Sequence, residues 1–246
     1  GQVVIAAQVN GSTITQQATI TLVAGPATKL GIVTSPSSST SSGHLLGAPA
    51  VAVQDQYGNR VLSDDDSGPG TAVTVAFTQG SNGILGGSTT VTAQDGLATF
   101  SNLTLAGLVG TNYIITFTAT PLTSLSSGNL TVTPGDAFVV VETLMSSQSV
   151  YSTRSGSAFG TQPHLELRDA QGNVLTNFDG TVTPHLKRST TSLDDRLLNS
   201  TPVAMAHGEA AFTHLGIEAG ANSGYELTYA VSGTNVALTS TAQSVQ

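Results

Sequence analysis

The side chains of this chain that could bind an ion are clustered carboxylates. Asp64, Asp65 and Asp66 form its only run of three acids, and a hard cation such as calcium would relieve their mutual repulsion. A calcium site needs about six oxygen ligands, and the chain has no EF-hand pattern to supply them. The alternative is a solvated loop ahead of Gly68. Calcium is the one cofactor that the sequence leaves open, and no other is predicted.

Two further aspartates begin a motif that occurs twice. Asp55 and Asp169 are each followed, three and four residues later, by Gly and Asn. Oxygen ligands at this spacing could bind a metal ion. A turn explains the same residues better, because Asp bonds the backbone ahead of it, Gly adopts positive φ and Asn tolerates the left-handed region. We predict a turn between two strands at both places.

The remaining reactive residue types form no catalytic pattern. The chain has five histidines and no cysteine, and it contains neither a zinc-binding H-E-x-x-H motif nor a G-x-S-x-G nucleophile elbow. We therefore predict that the chain is not an enzyme.

Exposed aromatic residues could bind a sugar ring by stacking. The chain has no Trp, and most of its Tyr and Phe residues fall on positions expected to face a core. Tyr57, at a predicted turn tip, and Tyr151 are the exceptions. Tyr57 is the candidate ligand contact, with an ordinary surface tyrosine as the alternative.

Composition excludes several classes of partner. Only 9% of the residues are charged and the formal net charge is −8, so no basic surface is available for nucleic acid. The sequence lacks the run of about 18 apolar residues that membrane insertion would require. Abundant Ser and Thr, few Lys and no Cys favour an exported bacterial or archaeal protein, located extracellularly or at the cell surface.

The organisation of the chain follows from an internal repeat. The motif around Asp55 returns around Asp169, 114 residues later, and Tyr113 returns as Tyr225, 112 residues later. A period of this length corresponds to one small domain. Short segments of alternating or β-branched residues, without helical periodicity, predict an all-β fold of tandem antiparallel sandwiches.

The repeat also predicts domain boundaries. We expect one module over 26–135 and a second over 136–246, each preceded by a short segment containing Pro and Gly. Residues 1–25 match the end of a module, so they are expected to form its last two strands, joined by a turn at Asn10. The chain therefore looks like a piece of a longer array, although these residues could instead be a hairpin donated to another chain.

Three segments of the first module carry a family resemblance. They begin at Val53 (VQDQYGNRV), Asp95 (DGLATFSNL) and Gly110 (GTNY). With them the chain resembles the bacterial Ig-like repeats of invasin- and intimin-type adhesins and other large cell-surface proteins. The second module departs from the pattern at His207 and in the polar stretch 187–199. The resemblance implies an Ig-like sandwich and a role as spacer, with adhesion performed elsewhere in the molecule.

Three functions remain open from the sequence. The first is a set of non-catalytic spacer modules of an adhesin-like protein, whose partners are neighbouring modules. The second is a subunit of a surface layer or filament, assembled by strand donation through residues 1–25. The third is a carbohydrate-binding accessory module with cell-surface glycans as partners.

Overall fold

The computed structural model describes residues 2–5, 7–14, 18–66, 68–143, 154–187, 195–220, 222–239 and 243–245. All regular structure in these residues is β-strand. Accordingly, they include no helix of the length and apolarity needed to cross a membrane.

The first part of the chain forms an N-terminal hairpin and the strands of the first repeat. The hairpin strands are β1 (Gln2–Ile5), β2 (Gln8–Val9), β3 (Ser12–Thr13) and β4 (Ala18–Thr21). The strands of the first repeat are β5 (Lys29–Thr34), β6 (Ser39–Ser41), β7 (His44–Leu45), β8 (Ala50–Gln54), β9 (Ala72–Gln79), β10 (Ile84–Gly86), β11 (Thr90–Thr92), β12 (Leu97–Thr99), β13 (Thr104–Ala106), β14 (Ile114–Thr118), β15 (Leu125–Ser126) and β16 (Thr131–Thr133).

The second repeat has a matching set. Its strands are β17 (Val139–Glu142), β18 (Ser157–Ala158), β19 (His164–Arg168), β20 (Gly180–Lys187), β21 (Arg196–Leu198), β22 (Val203–Met205), β23 (Glu209–Ala211), β24 (Gly216–Glu218), β25 (Asn222–Val231), β26 (Ala237–Thr239) and β27 (Gln243–Val245).

Three sheets of the first repeat recur in the second with the same strand order, whereas the sheet β16-β6 is described only in the first. In the first, one sheet has the strand order β12-β8-β5 and another the order β11-β9-β14-β15. In the second, the corresponding orders are β23-β19-β17 and β22-β20-β25-β26, with β27 also paired to β25. A small third sheet is β10-β13-β7 in one repeat and β21-β24-β18 in the other. This agreement confirms the repeat found in the sequence.

Each repeat is an Ig-like antiparallel β-sandwich, because residues from both main sheets meet in one core. In the second repeat, Leu165 and Leu167 of β19 are fully buried in one cluster with Leu227 and Tyr229 of β25. These strands alternate buried and more exposed residues, as expected where one face of an antiparallel sheet covers a core. Burial of each large apolar side chain contributes about 1.5–3 kcal/mol to this packing.

Residues 2–25 contain the hairpin expected from the sequence. β1 pairs antiparallel with β4, and β2 pairs with β3 across Asn10 and Gly11, which both adopt positive φ. Large apolar residues of this segment are exposed wherever their burial is described. Ile20 and Leu22 are 46% and 59% exposed, whereas the residues that match them in the repeat, Leu130 and Val132, are 2% and 4% exposed.

The chain divides into two compact units whose limits do not coincide with the repeat. The first comprises Gly1–Thr40, Leu45–Leu105 and Asn112–Thr131. The second comprises Val132–Gln246 together with two loops of the first repeat, Ser41–His44 and Ala106–Thr111. We call 41–44 the serine loop.

Candidate functional site

The candidate site is the aspartate turn, which occurs once in each unit. β8 ends at Gln54 and β19 ends at Arg168, so each strand places the next residue, an aspartate, at the start of a tight turn. Gly58 and Gly172 adopt φ of 88° and 87°, which glycine does without steric cost. The predicted turn is confirmed at both places.

In the first unit the carboxylate of Asp55 accepts four hydrogen bonds. Oδ1 accepts the backbone N–H groups of Tyr57 and Asn59, both at 2.9 Å. Oδ2 accepts the side-chain amide of Asn59 at 2.9 Å and the backbone N–H of Gly25 at 3.0 Å. Gly25 lies 30 residues earlier, in the segment that leads into the repeat. The carboxylate therefore holds both its own turn and that segment.

The second unit repeats this arrangement. Asp169 Oδ1 accepts the backbone N–H groups of Gln171 and Asn173, both at 2.9 Å. Oδ2 accepts the Asn173 amide at 2.8 Å and the backbone N–H of Gly135 at 2.9 Å. We call each set of aspartate, asparagine and linker glycine a linker clamp. Contrary to expectation, neither asparagine adopts positive φ; the side-chain amide stabilises the turn instead.

The hydrogen bonds keep both carboxylates ionised. The side-chain bond from Asn59, helped by the backbone N–H groups and opposed by burial, lowers the pKa of Asp55 to about 2. For Asp169, burial is the largest influence and raises the pKa, but the bonds from Asn173 and three backbone groups together outweigh it and lower the pKa. These carboxylates are almost fully enclosed, at 3% and 2% exposure, and they act as structural acceptors.

In the second unit, Asn173 of the linker clamp also binds the loop 106–111, and this loop and Gln171 in turn contact the serine loop. Asn173 Nδ2 donates to the Gly107 carbonyl at 2.9 Å, and its Oδ1 accepts the Val109 N–H at 2.8 Å. Ser42 Oγ accepts the Gly107 N–H at 3.0 Å and lies 3.0 Å from Gln171 Oε1. Asn173 therefore uses all of its amide groups and is only 8% exposed.

Sequence reasoning missed the role of Ser42. One weak signal existed, because the Ser-Gly pair at 42 and 43 returns at 155 and 156, where Gly43 and Gly156 adopt φ of 89° and 82°. Ser155 Oγ accepts the Ala219 N–H at 3.0 Å, which reproduces the bond from Gly107 to Ser42.

Two members of the run of three acids are bonded to protein groups. Both carboxylate oxygens of Asp64 bind Thr71, with the backbone N–H at 2.7 Å and the hydroxyl at 2.6 Å. Asp65 accepts the Asp95 N–H at 3.2 Å, and Asp66 is exposed on the same loop. Within the described ranges, no group of three or more His, Cys, Asp or Glu side chains could hold a metal ion. Calcium at this loop stays a prediction.

The candidate ligand contact lies at the tip of the first turn. Tyr57 is 81% exposed and lines an open cleft of about 550 Å³ with Leu22, Val23 and Asn59, among others. Tyr151, the other aromatic residue singled out in the sequence, lies outside the described residues. Phe138, which the sequence did not single out, is 66% exposed in the second unit.

Comparison with known proteins gives limited similarity. No model of a protein family matches the sequence, and no protein of curated function matches it significantly. Among solved structures, a β-glycosidase from Bacteroides vulgatus has a TM-score of 0.36 at 12% identity, over 90% of this chain and 25% of that one. This chain therefore spans about a quarter of that protein.

Two multidomain proteins are also among the similar structures, one of them described as tandem Ig repeats. Extracellular domains 3–5 of Drosophila OTK match with a TM-score of 0.27 at 11% identity, over 92% of this chain and 67% of that one. The tandem Ig repeats of Dlar match with a TM-score of 0.24 at 10% identity, over 89% and 97% of the two chains.

Proposed function

We propose that this chain is a non-catalytic structural segment of a bacterial or archaeal cell-surface protein, in which tandem Ig-like sandwiches act as spacers of an adhesin-like molecule. The observation that carries the proposal is the linker clamp. In each unit, a buried carboxylate binds the backbone N–H of the glycine in the segment that leads into the sandwich.

This bond gives the linker a mechanical role. A Pro-Gly linker without partners would swivel freely, since glycine has many accessible conformations. A charged acceptor makes a hydrogen bond that is about twice as strong as a neutral one, so the clamp fixes the path of the chain at the entrance of each sandwich. Adjacent Pro26 and Pro134 restrict φ further. We expect a segment held in this way to stay attached to its sandwich under force.

Pulling on the two ends of the chain with a single-molecule force probe tests this proposal. A spacer should lengthen in discrete steps, and each sandwich should release on the order of 350 Å of chain. Asp169→Asn should lower the force at which the second sandwich opens. Smooth lengthening without steps would contradict a mechanical role.

A second candidate, a filament subunit assembled by strand donation, is favoured by the exposed hairpin. Ile5, Ile20 and Leu22 are 49%, 46% and 59% exposed, and a neighbouring chain could cover them by strand addition. Light scattering coupled to size-exclusion chromatography, on the whole chain and on a chain lacking residues 1–25, separates the candidates. Larger species formed only by the whole chain would favour the filament.

A further inference from the structure

The two linker clamps differ in what covers them. Asn173 is 8% exposed because its amide binds Gly107 and Val109. Asn59 occupies the same position in the first unit and is exposed. Among the described residues its side chain bonds only Asp55, so one amide N–H and the amide oxygen face solvent. The amide groups that bind the loop 106–111 in the second unit therefore have no partner among the described residues of the first.

The linker glycines show the same difference. Neither Gly25 nor Gly135 adopts positive φ, so the backbone conformation does not require glycine. At Gly135 the available space does, because a Cβ would collide with the carbonyl oxygen of Ser42 in the serine loop. At Gly25 a Cβ would come no closer than 3.8 Å to Asp55 and meet nothing else among the described residues. The space that the serine loop fills beside Gly135 is empty beside Gly25.

An open cleft lies at this place. It measures about 550 Å³ and is bordered by Gly25, Tyr57, Asn59 and the apolar residues Leu22 and Val23. The corresponding cleft of the second unit, beside Ser42 and Asp169, measures about 230 Å³. Tyr57 occupies the position of Gln171, whose side chain lies within hydrogen-bond distance of the Ser42 hydroxyl. The exposed ring of Tyr57 is thus part of the uncovered face.

We propose that the face formed by Gly25, Tyr57 and Asn59 is the docking surface for another Ig-like repeat, bound through its serine loop. This inference rests on the proposed function as a spacer, and it names the partner of the first repeat of the chain. The chemistry of that partner is shown twice in this chain. A serine hydroxyl accepts the N–H of a small residue in the neighbouring loop, as Ser42 does from Gly107 and Ser155 from Ala219.

The predicted contacts follow from the second unit. Asn59 Nδ2 donates to the carbonyl of that small residue, and Asn59 Oδ1 accepts an N–H from the same loop. The carbonyl of the serine packs against Gly25. The groups recognised are mainly backbone N–H and C=O groups. The surface therefore recognises the shape of the loop and the presence of a small residue, and it does not require a particular sequence of side chains.

The test adds one repeat to the chain. A copy of residues 26–135 is joined directly ahead of residues 26–246, in place of residues 1–25, and only the added copy is isotope-labelled. Amide exchange of the added Val109 is then followed by NMR. We expect Asn59→Ala in the following repeat to speed this exchange on the order of tenfold, the value of one hydrogen bond. Asn173→Ala is the matched control. In a second sample, in which only the original residues 26–135 are isotope-labelled, it should speed exchange of the original Val109 similarly.

Unchanged exchange of the added Val109 on Asn59→Ala, with the expected response to Asn173→Ala, would overturn the proposal. Damage to the turn itself is measured separately, from the exchange of the Gly25 amide in the natural chain carrying Asn59→Ala. Concentration-dependent association of the natural chain that Asn59→Ala abolishes would assign the face to a second copy instead. Stepwise extension under force without docking at Asn59 would leave the spacer function standing and refute only this inference.

Discussion

A pair of glycine substitutions gives the sharpest test of how the linkers are held. Gly135→Ala should destabilise the second unit, because a Cβ there would lie closer than 3.0 Å to the Ser42 carbonyl oxygen and 3.4 Å from Asp169 Oδ2. Gly25→Ala should be tolerated in the first unit, since its nearest neighbour, Asp55, would be 3.8 Å away.

The magnitude follows from two effects of opposite sign. Replacing glycine by alanine restricts the unfolded chain and stabilises the fold by about 0.4–1 kcal/mol at either position. Forcing a methyl group into a filled site costs about 1–3 kcal/mol. Because the first effect is common to both variants, the difference between Gly25→Ala and Gly135→Ala should equal the steric cost, about 1–3 kcal/mol.

Native-state amide exchange measures each unit separately. The probes are the backbone N–H groups of Asn173 and Asn59, which donate to Asp169 and Asp55. For each variant, the exchange rate is divided by that of the same N–H in the natural chain. This ratio should be about 5- to 150-fold larger for Asn173 in Gly135→Ala than for Asn59 in Gly25→Ala. Gly128→Ala, where a Cβ meets nothing within 4 Å, serves as the control for the change of residue type. Equal effects of the two linker variants would refute the reasoning.

Three further predictions concern buried polar groups. Tyr229→Phe should stabilise the second unit by about 1 kcal/mol, because the hydroxyl is buried and has no hydrogen-bond partner among the described residues. Tyr225→Phe should destabilise the same unit, because that hydroxyl donates to the Gly220 carbonyl at 3.2 Å. Thermal denaturation measures both changes. Burial raises the pKa of Glu142 from 4.5 to about 7, so the folded state binds the additional proton and stability should fall as pH rises from 4.5 through 7. Between about pH 5 and about pH 8, the free energy of unfolding should fall by about 1–2 kcal/mol after allowance for partial exposure. Glu142→Gln should remove this fall, and urea denaturation at the two pH values measures it. The pKa of Asp55, lowered to about 2 from 3.8, predicts stability that is complete above pH 3.8 and lost as pH falls through 2, and Asp55→Asn should flatten that part of an acid titration.

The sequence was sufficient for the fold because the information was local and was present twice. Alternation of apolar and polar residues in segments such as 73–75 and 165–167 marks strands that cover a core on one face. The Gly and Asn after Asp55 and Asp169 mark turns through their own backbone preferences. A repeat of domain length then fixes the number of sandwiches without knowledge of any long-range contact.

The site depended on contacts that no local pattern encodes. The bond from Gly25 to Asp55 spans 30 residues and that from Asn173 to Gly107 spans 66, and in both a backbone group is one partner. Backbone groups are present at every residue, so they leave no mark in the sequence. The contacts of Asp64 are equally hidden from the sequence, because one of the two groups of Thr71 that it binds is the backbone N–H. Calcium at 64–66 stays a prediction.

The docking that we propose requires the two ends of a repeat to be complementary, and the contacts of the second unit indicate which positions it depends on. The loop that binds Asn173 contains Gly107 and Val109, whereas its counterpart in the second repeat contains Ala219 and Gly220, with little side-chain chemistry in common. The Ser42 and Ser155 hydroxyls nevertheless make the same bond to the loop backbone, at 3.0 Å in both. An asparagine that recognises backbone groups requires only that the loop keep its path and that the linker keep its glycine. The proposed docking therefore depends on few positions, and it places no demand on the rest of the surface of an added repeat.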